Sequence, residues 1–314
     1  MPTRRTFFRQ AAAIGSTALT APSLLRAEEP KRRIVDCHTH FYDPTRPQGV
    51  PWPPEKSPLY RRVLPDDWMA VAGPHGVTDT IVIEASKWIE DNQWLLELAQ
   101  TDRRLLGIIG HLEPGDPEFT NQLKRFTANS LFRGIRVSSD GAAAAADNPV
   151  YASGLKSLAE AGRVLDINGG PLTPSIAALV AAKHPDLTVI INHCGNPGDA
   201  AKPLPDEWKD GIKAAGQLTN VFCKISALVE GVRGEPGKAP VDPDYYRPVI
   251  DPIWESFGSD RVIYGSNWPV SDRGAPYGTV IDIVKAYFND KGRDAAEKYF
   301  WKNSQIAYGW KDRN

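Results

Sequence analysis

The sequence has few cysteines, and the three that it has, Cys37, Cys194 and Cys223, lie far apart in 314 residues. An odd number of widely spaced cysteines does not build the disulfide framework of a small secreted domain. Each of them lies in or beside an apolar segment that predicts a strand. We therefore expect three buried, unpaired thiols that serve as small apolar side chains.

The chain also has almost no net charge, with 37 basic and 38 acidic residues. This balance provides no basic field that would attract nucleic acid or an anionic membrane surface, so neither is expected as a partner. No apolar run reaches the length of about 18 residues that a membrane span needs. Internal repeats and heptads are absent as well. A small-molecule substrate is the expected partner, and the sequence does not indicate an oligomeric state.

The first 27 residues have the order of an export signal. A basic segment with Arg4 and Arg5 precedes two phenylalanines, a weakly apolar stretch follows over 11–25, and Ala27 precedes two glutamates. Paired arginines before a moderately hydrophobic stretch are typical of a twin-arginine signal. We therefore expect residues 1–27 to direct a periplasmic or otherwise exported protein, and residues 33–310 to form its single domain.

After this segment, short apolar runs alternate with helical patterns. Near-continuous apolar runs indicate strands that are buried on both faces, as in a parallel sheet. Eight such strands with helices between them predict one (β/α)8 barrel of the TIM type. The predicted strands are 34–40, 80–85, 105–111, 134–138, 163–168, 187–193, 221–226 and 261–267. The predicted helices are 91–100, 116–129, 150–161, 173–184, 245–257 and 294–308.

A segment rich in proline and tryptophan, residues 44–58, follows the first predicted strand. Its prolines exclude regular structure. Because it leaves from the carboxyl end of a barrel strand, where barrel enzymes carry their active sites, we expect it to cover the substrate.

Three histidines lie at carboxyl ends of predicted strands. His38 and His40 are two residues apart on the first strand, so both side chains should point into the barrel, and His193 ends the sixth strand. Neutral imidazoles are common ligands of zinc and related ions, so the three residues predict a metal site. A polar pocket in which the histidines are only hydrogen-bonded is the alternative. His111 ends the third strand and is a candidate substrate contact.

The sequence resembles the amidohydrolase superfamily, in its amidohydrolase-related branch of sugar lactonases and pyrone-dicarboxylate lactonase. The resembling segments occur in the family's order over most of residues 33–310. They are 35–40 (VDCHTH), 87–97 (KWIEDNQWLLE), 133–136 (RGIR), 191–197 (INHCGNP), 222–226 (FCKIS) and 260–270 (DRVIYGSNWPV).

This resemblance implies a hydrolase that opens an ester, lactone or amide bond with an activated water. It places His38, His40 and His193 in the pocket, with Arg136 and Trp268 as substrate contacts. Some members of the family use zinc, whereas pyrone-dicarboxylate lactonase is understood to work without metal. One divalent ion, zinc first, is therefore expected here, with a metal-free mechanism as the alternative.

The motif after the eighth strand departs from the family's pattern. Relatives usually carry Gly-Ser-Asp-Trp-Pro, whose aspartate is the general base, whereas this chain has Asn267 in that place. An amide does not accept a proton at ordinary pH and is a weak metal ligand. The catalytic candidates are His193, Asn267 itself, and Lys224, which lies in the middle of the seventh predicted strand.

Another acid would have to replace the missing base, and the candidates are Glu84, Glu113, Asp166 and Asp272. The leading hypothesis is a hydrolase acting on a small organic or sugar-derived lactone. The alternatives are a metal-dependent decarboxylase of the same superfamily, and a binding protein whose catalysis is impaired by Asn267.

Overall fold

The structure, a computed structural model, describes residues 33–143 and 148–313. The export signal expected over residues 1–27 lies outside them. The strands are β1 (Val35–Thr39), β2 (Asp79–Ile83), β3 (Leu105–Gly110), β4 (Phe132–Ser138), β5 (Val164–Asn168), β6 (Val189–Ile191), β7 (Val221–Ile225) and β8 (Val262–Tyr264).

All eight strands pair in parallel in the order of the sequence, β1 to β8. Backbone hydrogen bonds then join the end of β1 to the segment after β8: His40 N donates to the Trp268 oxygen at 2.9 Å, and Asn267 N donates to the His38 oxygen at 2.8 Å. The (β/α)8 barrel that the sequence predicts is thereby confirmed.

The helices surround the strands. They are α1 (Pro65–Ala72), α2 (Ile89–Thr101), α3 (Phe119–Thr127), α4 (Ser139–Ala143), α5 (Pro149–Glu160), α6 (Thr173–Lys183), α7 (Asp206–Gly216), α8 (Arg247–Phe257), α9 (Tyr277–Asp290), α10 (Arg293–Glu297) and α11 (Asn303–Tyr308). A π-helical turn, Lys298–Lys302, joins α10 to α11, so the single helix predicted over 294–308 is divided in three. Across the described ranges, no helix combines the length and the apolar character that crossing a bilayer requires.

Helix α7 was not predicted from the sequence. It contains two glycines, Gly211 and Gly216, which lower helix propensity by about 1 kcal/mol each. The packing explains Gly211, because a Cβ there would lie 2.7 Å from the backbone nitrogen of Ser175 in α6. The close approach of α6 and α7, rather than helix propensity, therefore explains the glycine at residue 211.

Several strands are shorter than the sequence predicts, and the difference places side chains at the barrel mouth. β6 ends at Ile191 and β8 at Tyr264, so His193 and Asn267 lie beyond the strands. Both have left-handed backbone, with φ of 55° and 61°. Non-glycine residues seldom adopt this conformation, and it concentrates at functional sites.

The core lies between the strands and the helices, with a second apolar cluster formed by strand residues together with Ala307, Tyr308 and Trp310. The three cysteines are free and buried, as the sequence predicts.

Gly265 allows β1 and the segment after β8 to approach, because a Cβ there would lie 2.7 Å from the Cβ of His38. We expect Gly265→Ala to reduce the free energy of unfolding by about 1–3 kcal/mol, since overpacking would separate the two segments. Gly170→Ala is the matched control, because no atom lies within 4 Å of the added Cβ. Its stability should change by no more than about 0.5 kcal/mol in the same denaturant titration. Equal effects of the two substitutions would contradict this account.

Candidate active site

The structure brings the three predicted histidines together at the carboxyl ends of the strands. The ring centroid of His38 lies 5.0 Å from that of His40 and 4.3 Å from that of His193. All three side chains are buried. Burial lowers the pKa of His38 and His193 well below the usual value and that of His40 to about 4. The imidazoles are therefore neutral at physiological pH.

Each ring is held through Nδ1. His40 Nδ1 donates to the Ile83 carbonyl at 3.0 Å, which leaves Nε2 of the neutral ring as an acceptor. His193 Nδ1 lies 3.0 Å from the Ser226 hydroxyl. His38 Nδ1 lies 3.4 Å from Lys224 Nζ. These contacts fix the ring orientations through Ile83 of β2, Lys224 of β7 and Ser226 directly after β7.

Lys224 lies below the histidines, fully buried, rather than in the lining of the cavity. Its Nζ donates to Asp166 Oδ2 at 2.6 Å, and the Tyr308 hydroxyl donates to the same carboxylate at 3.3 Å. Burial lowers the pKa of Lys224, and Asp166 opposes that shift. Lys224, a catalytic candidate from the sequence, therefore forms a buried ion pair with Asp166 and contacts His38 Nδ1.

This ion pair decides where His38 carries its hydrogen. An ammonium has no lone pair, so Lys224 donates to Nδ1 and the neutral ring is protonated on Nε2, an atom that is buried without a protein partner. A metal ion bound at Nε2 would require the hydrogen on Nδ1, facing the ammonium. In the ranges that the structure describes, no group of three or more His, Cys, Asp or Glu side chains is arranged to hold a metal ion. This arrangement thus disfavours coordination of the expected divalent ion at His38 Nε2.

Asn267 lies between His40 and Glu230, an acid that is not among the candidates from the sequence. Its Nδ2 donates to Glu230 Oε1 at 2.7 Å, and its Oδ1 lies 3.3 Å from His40 Nε2. The buried carboxylate of Asp36 holds this segment, because it accepts from Ser266 N at 2.8 Å.

Glu230 follows β7 by five positions, in the loop after Ile225. Burial raises the pKa of its carboxyl to about 7. Because it is not adjacent to a strand end, the strand pattern does not mark it as a site residue. The available signal was an acid beside a glycine, Glu230-Gly231, in a loop on the functional face of the barrel.

The four acids considered from the sequence have other roles. Glu84 Oε1 accepts from Arg136 Nε at 2.9 Å, and the Glu84 backbone oxygen accepts from Nη2 at 2.8 Å. Asp166 binds Lys224, while Glu113 and Asp272 are exposed. Their positions do not supply an unpaired carboxylate next to Asn267.

Two adjoining cavities of about 760 and about 500 Å³ open at this end of the barrel. They share the lining residues Asn168, His193, Asn267, Val270 and Arg273. Glu230 lines the larger cavity, whereas the smaller one reaches His40, Glu84 and Arg136. The reactive groups thus face space for a small molecule.

Two of the predicted substrate contacts lie elsewhere. Trp268 is buried in the core, and its oxygen accepts the barrel-closing bond from His40 N. His111 is half-buried, its backbone is paired with Asn92, and its side chain is not among the residues that line the two cavities. Of the three predicted contacts, Arg136 is the one that lines a cavity.

The loop at 44–58 covers the smaller cavity with Pro51 and Trp52. The Trp52 ring lies 6.0 Å from the His40 ring. Arg46 anchors the loop through an ion pair of 2.9 Å with Asp91 and by lying over the Trp94 ring. The loop therefore forms one wall of the site, where the sequence placed it.

Comparison with known proteins identifies the class to which this barrel belongs. The family model described as amidohydrolase matches residues 35–310. The chain belongs to the amidohydrolase family.

Its relatives include an L-fucono-1,5-lactonase of Burkholderia ambifaria, which is 27% identical over 247 residues that cover 78% of this chain and 83% of that protein. An amidohydrolase from Burkholderia multivorans with bound zinc has a TM-score of 0.80 at 22% identity, covering 88% of this chain and 99% of that one. A probable 2-pyrone-4,6-dicarboxylic acid hydrolase from Acinetobacter baumannii with citric acid bound has a TM-score of 0.70 at 17% identity, covering 88% and 99%. These two structures share the fold.

We expect Lys224→Met to lower the free energy of unfolding by about 3–5 kcal/mol, because it leaves the Asp166 carboxylate buried without its cation. Lys209→Met is the matched control, since Lys209 pairs with Asp206 at the surface, where an ion pair contributes about 0–1 kcal/mol. Urea titration of the two variants measures the difference. A Lys224→Met protein as stable as the control would contradict the buried ion pair.

Proposed function

We propose that this protein is a lactone hydrolase that opens a small organic or sugar-derived lactone with water from the cavity. The observation that carries the proposal is the arrangement at the barrel mouth, where the neutral imidazoles of His40 and His193 and the Asn267–Glu230 pair line the two cavities, with His38 packed against both rings. Membership of the amidohydrolase family and the similarity to an L-fucono-1,5-lactonase support it.

The residues match what ester hydrolysis requires. In the tautomer in which the Ser226 hydroxyl donates to Nδ1, the neutral His193 ring has its hydrogen on Nε2 and can donate a hydrogen bond to the lactone carbonyl oxygen as negative charge develops there. The Arg136 guanidinium is fixed by Glu84 at the other side of the cavity and can orient an oxygen-rich substrate.

The polar character of the cavity favours a hydroxylated or anionic lactone. Asn168, Lys87 and Arg273 contribute amide and cationic groups to its lining. A volume of about 500 Å³ lies within the range typical of small-molecule sites. Decarboxylation, the alternative reaction, has less support because the similar Burkholderia ambifaria protein is an L-fucono-1,5-lactonase.

Zinc is the ion that the sequence predicts and that the solved amidohydrolase from Burkholderia multivorans carries. In this chain the Lys224 ammonium faces His38 Nδ1, which disfavours coordination at Nε2. We therefore propose that the protein's own side chains transfer the protons of this reaction without a bound metal ion.

A panel of sugar lactones and pyrone-type lactones, followed with a pH indicator, tests the proposal. We expect turnover of at least one lactone, with a rate that stays within about twofold after dialysis against a chelator, because acid–base groups supply the chemistry. Absence of turnover with and without added zinc would sink the lactonase proposal. Activity that returns only with zinc would overturn the metal-free assignment, and release of carbon dioxide without acid would favour decarboxylation.

We also propose that the protein is exported, on the basis of the Arg4-Arg5 pair and the weakly apolar segment that follows it. Replacing both arginines, Arg4→Lys with Arg5→Lys, should leave the protein in the cytoplasm, because twin-arginine signals are read by a receptor. Cell fractionation of a tagged chain measures this. Arg9→Lys in the same basic segment is the control and should still be exported. Equal export of both variants would contradict the proposal.

A further inference from the structure

Glu230 is the acid that lies beside residue 267, where the family pattern has an aspartate. Its Oε1 lies 2.7 Å from Asn267 Nδ2, and its side chain lines the larger cavity beside His193. Its other oxygen, Oε2, is buried and has no protein hydrogen-bond partner. A buried carboxyl oxygen without a partner is costly unless a bound molecule satisfies it.

We propose that Glu230 is the catalytic residue that takes the proton from the attacking water, in place of the carboxylate that is absent at residue 267. This inference rests on the proposed lactone hydrolysis and assigns the base for it. The base comes from the loop after β7, whereas the family pattern places it directly after β8.

The surroundings of Glu230 give its carboxyl a proton affinity suited to this role. Burial is the main cause that raises its pKa to about 7, where a general base is most effective near neutral pH. The charged groups nearby are Arg273, which lowers the pKa, and Asp272, which raises it, both in the turn Val270–Arg273. Cys194 and Tyr246 face it from two other turns, and the charge of Glu230 raises the pKa of each.

The amide of Asn267 can form a hydrogen bond with Glu230 in either protonation state of the carboxyl. When Glu230 is ionised, Asn267 Nδ2 donates to Oε1, as the structure has it, while Oδ1 faces His40 Nε2, which is also an acceptor. When Glu230 is protonated, its O–H becomes a donor, and an amide turned end for end accepts it with Oδ1. The turned amide then donates Nδ2–H to His40 Nε2, a free acceptor because the Ile83 carbonyl holds the ring hydrogen on Nδ1. An amide at residue 267 therefore has a role that an aspartate could not fill.

The proton balance of the reaction closes with Glu230 alone. As the water oxygen forms its bond to the lactone carbonyl carbon, one water proton passes to the Glu230 carboxylate. The bond between that carbon and the ring oxygen then breaks, and the leaving oxygen takes the proton back from the Glu230 carboxyl. The product is a hydroxy acid, and Glu230 returns to its ionised form.

The experiment compares Glu230→Gln with Glu235→Gln, an exposed residue of the same loop. For wild type, kcat/KM should rise as pH increases through about 7, because only the ionised carboxylate accepts a proton. Glu230→Gln should lower kcat by about 10²- to 10⁴-fold with KM little changed, and should abolish this rise. Glu235→Gln should keep the wild-type kcat and pH profile. A Glu230→Gln enzyme that keeps both would overturn the inference.

A swap variant separates loss of the carboxylate from loss of structure. Combining Glu230→Gln with Asn267→Asp exchanges the acid and the amide, so the hydrogen bond is retained while the charge moves to the family position. We expect this double variant to recover about tenfold or more of the activity that Glu230→Gln loses. A folded double variant as inactive as Glu230→Gln would contradict a proton-accepting role.

Failure of the inference is distinguishable from failure of the proposed function. If wild type opens no lactone, the lactonase proposal fails before any variant is made. If wild type opens a lactone and Glu230→Gln does so equally well, the enzyme remains a lactonase and only the assignment of the base is overturned.

Discussion

The closure of the barrel between β1 and the segment after β8 is the constraint on which the site depends. Two backbone hydrogen bonds, from His40 N to Trp268 and from Asn267 N to His38, join segments separated by more than two hundred residues. Asp36 adds a buried carboxylate that accepts from Ser266 N. These hydrogen bonds hold His40 beside the Asn267 amide, and they thereby also position the amide that binds Glu230.

The electrostatics of the site have two levels. The lower level is a buried ion pair, Lys224 with Asp166, which sets the hydrogen of the His38 ring and disfavours a metal ion there. The upper level, at the cavities, has the uncharged imidazoles of His40 and His193, the Glu230 carboxyl bound by an amide, and the ion pair of Arg136 with Glu84. Burial keeps the histidines uncharged and raises the pKa of the Glu230 carboxyl to about 7, so this carboxyl can exchange a proton near neutral pH.

Much of the fold and part of the site follow from the sequence, for physical reasons. Eight apolar strands predict the barrel because parallel strands are buried on both faces, and carboxyl ends of such strands meet at one mouth. His38, His40 and His193 could therefore be placed together. The loop over the site was foreseen as well, since its prolines exclude regular structure.

What the sequence did not reveal depends on contacts made after the chain folds. The protonated nitrogen of His38 is set by Lys224, which is 186 residues away. Glu230 contacts Asn267 from the loop after β7, and hydrophobic periodicity does not predict the path of a loop. The left-handed backbone at His193 and Asn267 likewise belongs to the closed barrel, so strand patterns extended both strands too far.

The central claim is that the carboxyl bound to the Asn267 amide exchanges its proton near neutral pH. Carbon-13 NMR titration of glutamate-labelled protein, with Glu230→Gln to assign the resonance, measures this directly. The account predicts a side-chain carboxyl that titrates at about 7 in wild type and disappears in the variant. A Glu230 resonance that titrates near the ordinary glutamate value of about 4.3 would contradict it.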